Sequence, residues 1–224
     1  MLTDEFIQMS LVTLIDYGLG NIKAIQNMYL RQNISVDIAS TPLDLLKAKH
    51  LILPGVGSFD WAMNRLNSSG LRKTLDNLVL KKGIPTLGIC VGMQIMSCKS
   101  EEGISEGLSW IDSSVKKFAP YSKEYLNQVN RVDSKIILPH MGWNTISATS
   151  VDNALISGLN NARFYFLHSY YFKPYNSSYT IALTSYNHEF TSIASKGNIH
   201  GVQFHPEKSH HNGSRLLRNF SAFT

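Results

Sequence analysis

Residues 88–94 read Gly-Ile-Cys-Val-Gly-Met-Gln, and this stretch decides the fold because it predicts a strand that runs into a sharp turn with Cys90 at its tip. The apolar run at 84–87 can form the strand, and the segment from Val91 to Ser97 can continue as a helix. Glycines two residues to either side of Cys90 remove the Cβ atoms that would crowd so tight a turn. We therefore expect a thiolate nucleophile at a helix N-terminus, where free N–H groups stabilise negative charge. The alternative is a buried structural cysteine, a common environment for this residue type.

A second stretch, Gly-Val-Gln-Phe-His-Pro-Glu-Lys at residues 201–208, offers a base and a carboxylate two positions apart. Residues so spaced face the same way in an extended segment, and Pro206 favours extension of the residue before it. His205 can then take the thiol proton while Glu207 orients the imidazole. Taken alone, this segment can equally be a strand end with a solvated carboxylate. Only together with the cysteine turn does it predict a Cys90, His205 and Glu207 triad.

The two stretches together resemble the class I glutamine amidotransferases. Four further segments are similar to the glutaminase subunit of imidazole glycerol phosphate synthase: Asp16-Tyr17-Gly18-Leu19-Gly20-Asn21, Leu53-Pro54-Gly55-Val56-Gly57, Pro139-His140-Met141-Gly142-Trp143-Asn144 and Phe166-Leu167-His168-Ser169-Tyr170. The set is specific, whereas each segment alone is not. The resemblance implies a mostly parallel, flavodoxin-like central sheet flanked by helices, with added antiparallel strands. It also implies that the chain hydrolyses L-glutamine to glutamate and ammonia without a cofactor.

The oxyanion formed on the substrate amide also needs hydrogen-bond donors. The turn at 54–57 follows a short buried strand, so it lies at the carboxyl end of the sheet, where doubly wound folds bind ligands. The backbone N–H of Val56 or Gly57, with that of Val91, can form the oxyanion hole. A plain glycine-rich turn is the alternative. The resemblance implies that the substrate's amino acid end is held by Gly55, Gln94, Ser169 and Tyr170.

No phosphosugar or nucleotide site is evident, so the ammonia must be used elsewhere. Gly18 and Gly20 follow a predicted strand, but Lys23 stands where a dinucleotide motif has its third glycine. The resemblance implies a (β/α)₈ barrel cyclase of histidine biosynthesis as the partner. It places four residues at that interface: Asn21, Trp143, Tyr165 and Lys208. Their ordinary interpretations are a helix cap, two core aromatic residues and a solvated lysine.

Two alternative functions stay open at this point. Paralogues that resemble this subunit donate ammonia to surface-sugar biosynthesis, and Ser209-His210-His211 with the long segment Tyr121–Lys135 fits them somewhat better. The other alternative is a stand-alone thiol peptidase or an inactive interaction module.

Composition agrees with a single globular enzyme domain that covers residues 1–224, with a short N-terminal extension at residues 1–10. The 224 residues are 43% apolar and 17% charged, which does not indicate disorder. The formal charge is +5, but the basic residues are scattered, so we expect no nucleic acid partner. We expect a cytoplasmic protein without a membrane span or a signal peptide. A metal site built on His205 is disfavoured because a ligating imidazole cannot act as the base.

The remaining pattern predicts alternating strands and helices first, then mostly strands. The predicted strands are Leu11–Asp16, Val36–Ala39, His50–Leu53, Val115–Phe118, Ile136–Leu138, Arg163–Tyr171, Tyr179–Ser185, Ser192–Ser195 and Gly201–His205. The predicted helices are Asn21–Gln32, Ser58–Asn67, Leu71–Lys82 and Arg215–Phe220. The polar segment Tyr121–Lys135 is predicted to be a surface loop or hairpin.

Overall fold

A computed structural model of the chain describes residues 12–119, 136–149 and 153–223. The strands are β1 (Val12–Ile15), β2 (Val36–Ala39), β3 (His50–Gly55), β4 (Thr86–Cys90), β5 (Lys99–Ser100), β6 (Ser113–Lys117), β7 (His140–Thr145), β8 (Ser147–Ala148), β9 (Arg163–His168), β10 (Tyr170–Pro174), β11 (Thr180–Tyr186), β12 (His188–Lys196) and β13 (Ile199–Val202). The α-helices are α1 (Ile22–Leu30), α2 (Phe59–Ser68), α3 (Arg72–Asp76), α4 (Val91–Gln94) and α5 (His210–Ser221). The predicted extension at 1–10 and the predicted loop Tyr121–Lys135 lie outside the described residues.

The main sheet has eight strands in the order β2-β1-β3-β4-β13-β12-β11-β8. The first five are parallel to one another, and the last three are added antiparallel. Every residue of β1, β3, β4 and β13 is buried, as expected for parallel strands that are covered on both faces. The prediction of a mostly parallel sheet with antiparallel additions is therefore confirmed.

Two smaller sheets extend the structure beside the carboxyl ends of the central strands. One pairs β7 with β9, which sets His140 opposite His168 and Trp143 opposite Tyr165. The other has the order β10-β6-β5. The segment predicted as one strand, Arg163–Tyr171, is thus divided between the two small sheets at Ser169. None of the described helices is long and apolar enough to cross a membrane.

The predicted helix Val91–Ser97 is wrong in length, since α4 ends at Gln94. Beyond Gln94 the chain tightens into 3₁₀-type turns, in which the Met96 N–H donates to Met93 and the Ser97 N–H donates to Gln94. The carbonyl groups of Ile95 and Met96 accept from Leu108 and Trp110 of a later loop, so they do not extend a helix further. A helix of four residues has little macrodipole, so the backbone of the turn itself must position the Cys90 side chain.

Several further boundaries differ from the sequence prediction. β13 ends at Val202, before the predicted end at His205, and the predicted helix Leu71–Lys82 is α-helical only over Arg72–Asp76 and continues as a π-helical turn over Asn77–Lys81. Residues 136–138 do not form a strand, and β7 begins only at His140, after Pro139, which has no N–H group to donate to a strand neighbour. The last helix starts at His210 instead of Arg215. His210 enters it with φ 48°, a left-handed conformation that sequence patterns do not reveal.

The turn at Cys90 depends on close approach between backbones. A Cβ atom at Gly92 would overlap the carbonyl oxygen of Leu53, and one at Gly88 would lie 2.7 Å from the carbonyl oxygen of Gly92. Such approaches leave no space for a side chain. The glycines around Cys90 therefore allow α4 to lie directly on the ends of β3 and β4.

We expect Gly92→Ala to lower the free energy of unfolding by about 1–3 kcal/mol through overpacking, although alanine is normally the better helix former. Urea unfolding followed by circular dichroism measures the change. The matched control is Asn64→Ala on the exposed side of α2, which should alter stability by less than about 0.5 kcal/mol. If both variants are as stable as the wild type, the close approach at Gly92 does not constrain the fold.

Candidate active site

One pair of neighbouring parallel strands brings the proposed nucleophile and base together. β4 ends at Cys90, and β13 pairs with it so that Val202 lies opposite Ile89. The segments that follow β4 and β13 both leave the sheet at its carboxyl edge, where doubly wound sheets bind ligands. Cys90 has φ 55° and ψ −112°, which a residue with a side chain adopts only where its surroundings impose it. Cys90 and His205 consequently line the same cavity.

His205 interacts with both Cys90 and Glu207. Its Nδ1 lies 2.8 Å from Glu207 Oε1, and both of these side chains are almost fully buried. Because an ionised carboxylate only accepts hydrogen bonds, Nδ1 carries a proton and Nε2 is left for the Cys90 thiol. Burial would lower the pKa of His205, but hydrogen bonds with Cys90 and Glu207 and the charges of both raise this pKa to about 10. A protonated imidazole beside the sulfur is the partner that a cysteine nucleophile requires.

The turn after β3 lies directly beside Cys90. Gly55 is the register partner of Cys90, and a Cβ atom on Gly55 would overlap the amide nitrogen of Gly92. The next two residues, Val56 and Gly57, are exposed and line the cavity. Gly57 has φ 88°, which favours glycine at this position. The turn is therefore placed where backbone N–H groups can reach a substrate carbonyl attacked by Cys90.

Tyr17 holds the start of this turn. Its side chain is buried, and its hydroxyl donates to the Pro54 carbonyl over 2.7 Å. Burial and, to a smaller extent, the charge of Cys90 raise the pKa of Tyr17, so that the hydroxyl keeps the proton it donates. The segment that contains Gly18 and Gly20 thus supplies, through Tyr17, a side chain that supports the turn after β3.

The cavity at this edge has a volume of about 280 Å³, a size suited to a small polar molecule. It is lined by Val56, Gly57, Cys90, Val91, Gln94, Glu102, Pro139, Leu167, His168, Ser169, Tyr170, His205 and Lys208. Most of the predicted catalytic, oxyanion and substrate residues therefore surround one space. The exceptions are Gly55, which packs against the Cys90 turn, and Glu207, which reaches the cavity only through His205.

Three polar residues of the site were missed by the sequence analysis. Glu102 lines the cavity, and its carboxylate accepts from the Phe59 N–H at 2.8 Å. Gln203 is fully buried and donates to Cys90 Sγ over 3.9 Å. Its position two residues before His205 was a usable signal, because both residues face the same way in an extended segment. His168 lies in the segment 166–170 that carries the family resemblance, although no role was assigned to it. Glu102 had no local signal, since the loop that brings it to the cavity follows from tertiary contacts.

Three of the four predicted interface residues form one surface cluster, which we call the aromatic cluster: Trp143, Tyr165 and Lys208, together with His210. The indole of Trp143 is stacked on His210 with ring centroids 5.2 Å apart and meets Tyr165 edge-on at 6.2 Å. Lys208 Nζ lies 5.6 Å from the centre of the Tyr165 ring. Asn21 is exposed and caps α1, where its side chain accepts from the Ala24 N–H.

Comparisons with known proteins agree with the fold and identify the family. The profile of the family "Glutamine amidotransferase class-I" matches residues 13–222. The chain is 44% identical to "Imidazole glycerol phosphate synthase subunit HisH" of Leptospira borgpetersenii over 95% of this chain and 100% of that protein. It is 46% identical to the protein of the same name in Bdellovibrio bacteriovorus, over 94% and 99% of the two chains.

Two solved structures have a similar fold at low sequence identity. The structure of PurLQS from Thermotoga maritima matches with a TM-score of 0.68 at 12% identity, covering 94% of this chain and 97% of that chain. A glutamine amidotransferase from the same organism matches with a TM-score of 0.58 at 19% identity, covering 94% and 81%. At this identity the similarity concerns the fold alone.

The buried histidines predict that the folded protein loses stability as the pH falls below 6.5. Burial lowers the pKa of His140 to about 4, of His168 to about 3 and of His200 to about 4, from an ordinary value of 6.5. Between pH 6.5 and about 4 the unfolded chain therefore binds more protons than the native one, and stability should fall as the pH falls. Each of the three histidines can contribute up to about 1.4 kcal/mol per pH unit.

Urea unfolding at pH 7, 6 and 5 measures this slope. His200→Gln should make it shallower, whereas the matched change at the exposed His211, His211→Gln, should leave it unaltered. A stability that does not change over this range would contradict the assignment of neutral buried imidazoles.

Proposed function

This chain belongs to the glutamine amidotransferase class-I family, and on that premise we propose that it is the glutaminase subunit of an imidazole glycerol phosphate synthase. It hydrolyses the side-chain amide of L-glutamine and supplies the ammonia to a synthase subunit in histidine biosynthesis. The observation that carries the chemistry is the buried hydrogen bond between His205 and Glu207 beside Cys90, at the wall of a small cavity. The relatives that share nearly the full length of the chain and bear the HisH name support the histidine pathway over the surface-sugar acceptor. A cytoplasmic location and a single domain remain sequence predictions.

In the first half of the reaction the Cys90 thiolate attacks the amide carbon of glutamine. The carbonyl π electrons move onto oxygen, and the backbone N–H groups of Val56, Gly57 and Val91 stabilise the resulting oxyanion. His205 then gives its proton to the amide nitrogen, so that the C–N bond breaks, ammonia leaves and a γ-glutamyl thioester remains on Cys90. Losing a single oxyanion donor typically costs about 10²–10³ in rate.

The second half of the reaction restores the enzyme with water. Neutral His205 takes a proton from a water molecule as its oxygen attacks the thioester carbon. The C–S bond breaks, glutamate leaves and the Cys90 thiolate again faces the His205 imidazolium. Glu207 keeps the ring in the orientation that both steps require and stabilises its positive charge.

The other end of glutamine is held on the opposite side of the cavity. The carboxylate of Glu102 complements the substrate's α-ammonium group, and burial raises the pKa of Glu102 while the Phe59 N–H opposes that shift. Gln94 donates from Nε2 to the Tyr170 carbonyl at 2.9 Å and to Gln203 Oε1 at 3.1 Å. These two donations leave the Gln94 amide oxygen to accept from the α-ammonium group.

The partner is a (β/α)₈ barrel cyclase that covers the aromatic cluster. This cluster is continuous with the cavity, because Lys208 belongs to both. Trp143 is 39% exposed and its neighbour Met141 65% exposed, and exposed apolar side chains next to a charged rim are typical of a protein interface. Docking at this place would cover the cavity, so that ammonia leaves toward the partner and not into solvent.

We expect Cys90→Ser to reduce glutamine turnover by roughly 10⁴–10⁶, because the hydroxyl is a far weaker nucleophile than the thiolate. The control is Cys98→Ser at the second free cysteine, which lies outside the cavity and should keep full turnover. Release of glutamate from glutamine by the full-length chain with its synthase subunit measures both. More than one tenth of wild-type turnover in Cys90→Ser would reject the proposed nucleophile.

We expect Trp143→Ala to weaken binding of the synthase subunit by roughly 10-fold or more, as for a central aromatic interface residue. Titration calorimetry measures the affinity, and the stimulation of glutaminase by the partner should fall with it. The control is Tyr175→Ala, which is 60% exposed and follows the end of β10 that lies away from the cavity. An equal affinity of both variants would place the interface elsewhere on the surface.

A further inference from the structure

A chain of directed hydrogen bonds runs through two buried histidines to the wall of the cavity. Asn144 Nδ2 lies 3.3 Å from His140 Nε2, and His140 Nδ1 lies 3.0 Å from His168 Nε2. His168 Nδ1 in turn lies 2.8 Å from the Tyr170 carbonyl oxygen. Both imidazoles are almost fully buried, so each nitrogen needs a protein partner.

The partners determine where each proton lies. A carbonyl oxygen only accepts, so His168 carries its proton on Nδ1 and accepts on Nε2. His140 must then donate from Nδ1 and accept on Nε2 from Asn144. The Asn144 amide is itself oriented, because its oxygen accepts from the Thr145 N–H at 2.8 Å and its nitrogen donates to the Ser185 carbonyl at 2.9 Å. Each hydrogen bond in the chain is therefore donated in the direction of the Tyr170 carbonyl.

The chain of hydrogen bonds ends on the Tyr170 carbonyl, which also holds Gln94 in the wall of the cavity, the proposed glutamine pocket. The Tyr170 carbonyl accepts from His168 Nδ1 and from Gln94 Nε2. Gln94 also donates to Gln203, and Gln203 donates to Cys90 Sγ. The two histidines thus support the same carbonyl that orients the Gln94 amide, next to the nucleophile.

We propose that His140 and His168 are positioning residues for the glutamine pocket, which hold the Tyr170 carbonyl and through it the Gln94 amide in the orientation that binds the amino acid end of glutamine. This inference rests on the proposed glutaminase function. Neither histidine takes part in bond making, since His205 is the base.

The surroundings keep both rings neutral and fixed. His140 is stacked between Phe166 at 4.9 Å and Tyr186 at 3.9 Å, and His168 packs against Phe118 and Phe190. Burial, and for His168 also the neighbouring His140 and His205, disfavour a positive charge on these rings. A neutral His168 keeps one donor and one acceptor, which the directed chain requires, and adds no positive charge beside His205.

Two variants of similar size separate the link to Tyr170 from the link to His140. The side-chain amide of His168→Asn can occupy the position of Nδ1 and still donate to the Tyr170 carbonyl. The amide of His168→Gln can occupy the position of Nε2, so it keeps the contact with His140 but leaves the carbonyl unsupported. The control is His200→Gln, because His200 is equally buried but pairs with Ser195 at the far end of the sheet.

The readout is the rate at which Cys90 of the full-length chain is alkylated, followed by mass spectrometry. Diazo-oxo-norleucine, an electrophilic glutamine analogue, carries the α-amino and carboxyl groups, whereas iodoacetamide lacks them. We expect His168→Gln to raise the half-saturating concentration of the analogue roughly tenfold, as for one lost buried hydrogen bond. Its iodoacetamide rate should be that of wild type. His168→Asn, which keeps the link to Tyr170 but loses the link to His140, should raise the half-saturating concentration less than His168→Gln does, and His200→Gln should keep wild-type values with both reagents.

The outcomes are distinct. Equal half-saturation for His168→Gln and His168→Asn, or loss of reactivity toward both reagents in parallel, would mean that the pair only packs the core and would overturn the proposal. If His168→Gln does not fold, His140→Leu against His140→Asn tests the preceding link in the same way. Failure of the wild-type chain to react with the analogue at all would instead reject the proposed glutaminase function.

Discussion

The parallel pairing of β4 with β13 is the constraint on which the site depends. These strands are far apart in the chain, and bringing them together costs loop-closure entropy that the buried sheet must offset. Because Val202 lies opposite Ile89, the residues that follow the two strands emerge side by side. A slip of the register would carry His205 away from Cys90 while leaving each local motif unchanged.

Close packing at the Cys90 turn places the thiol where it can react with a bound substrate. The left-handed backbone of Cys90 and the absence of side chains at Gly88 and Gly92 let the turn lie on the end of β3. The same contact places the turn at Val56 and Gly57 beside the thiol, so nucleophile and oxyanion donors share one rigid support. Preorganised donors of this kind cost no rearrangement during the reaction, which is why they are effective.

Most of the remaining walls of the cavity come from the second half of the chain, where buried hydrogen bonds are added to aromatic packing. Residues from β7 and β9, and the Tyr170 carbonyl at the start of β10, form a buried polar network that reaches Gln94. Such networks stabilise one arrangement only when every member is satisfied. The neutral state of His140 and His168 meets this condition, and it separates their task from that of the charged His205.

The sequence alone determined the nature of the central strands, the turn at Cys90 and the pairing of His205 with Glu207. The first two features depend on apolar runs and glycine spacing, which are local. His205 and Glu207 do pair, but Pro206–Lys208 forms a 3₁₀ turn and not the extended segment predicted from their spacing. Tertiary structure decided the rest. α4 gives way after Gln94 to tighter turns, and the following carbonyl groups of Ile95 and Met96 accept from a later loop; Glu102 enters the site through contacts between distant segments. No local pattern encodes such contacts, because their free energy arises only when the whole sheet has formed.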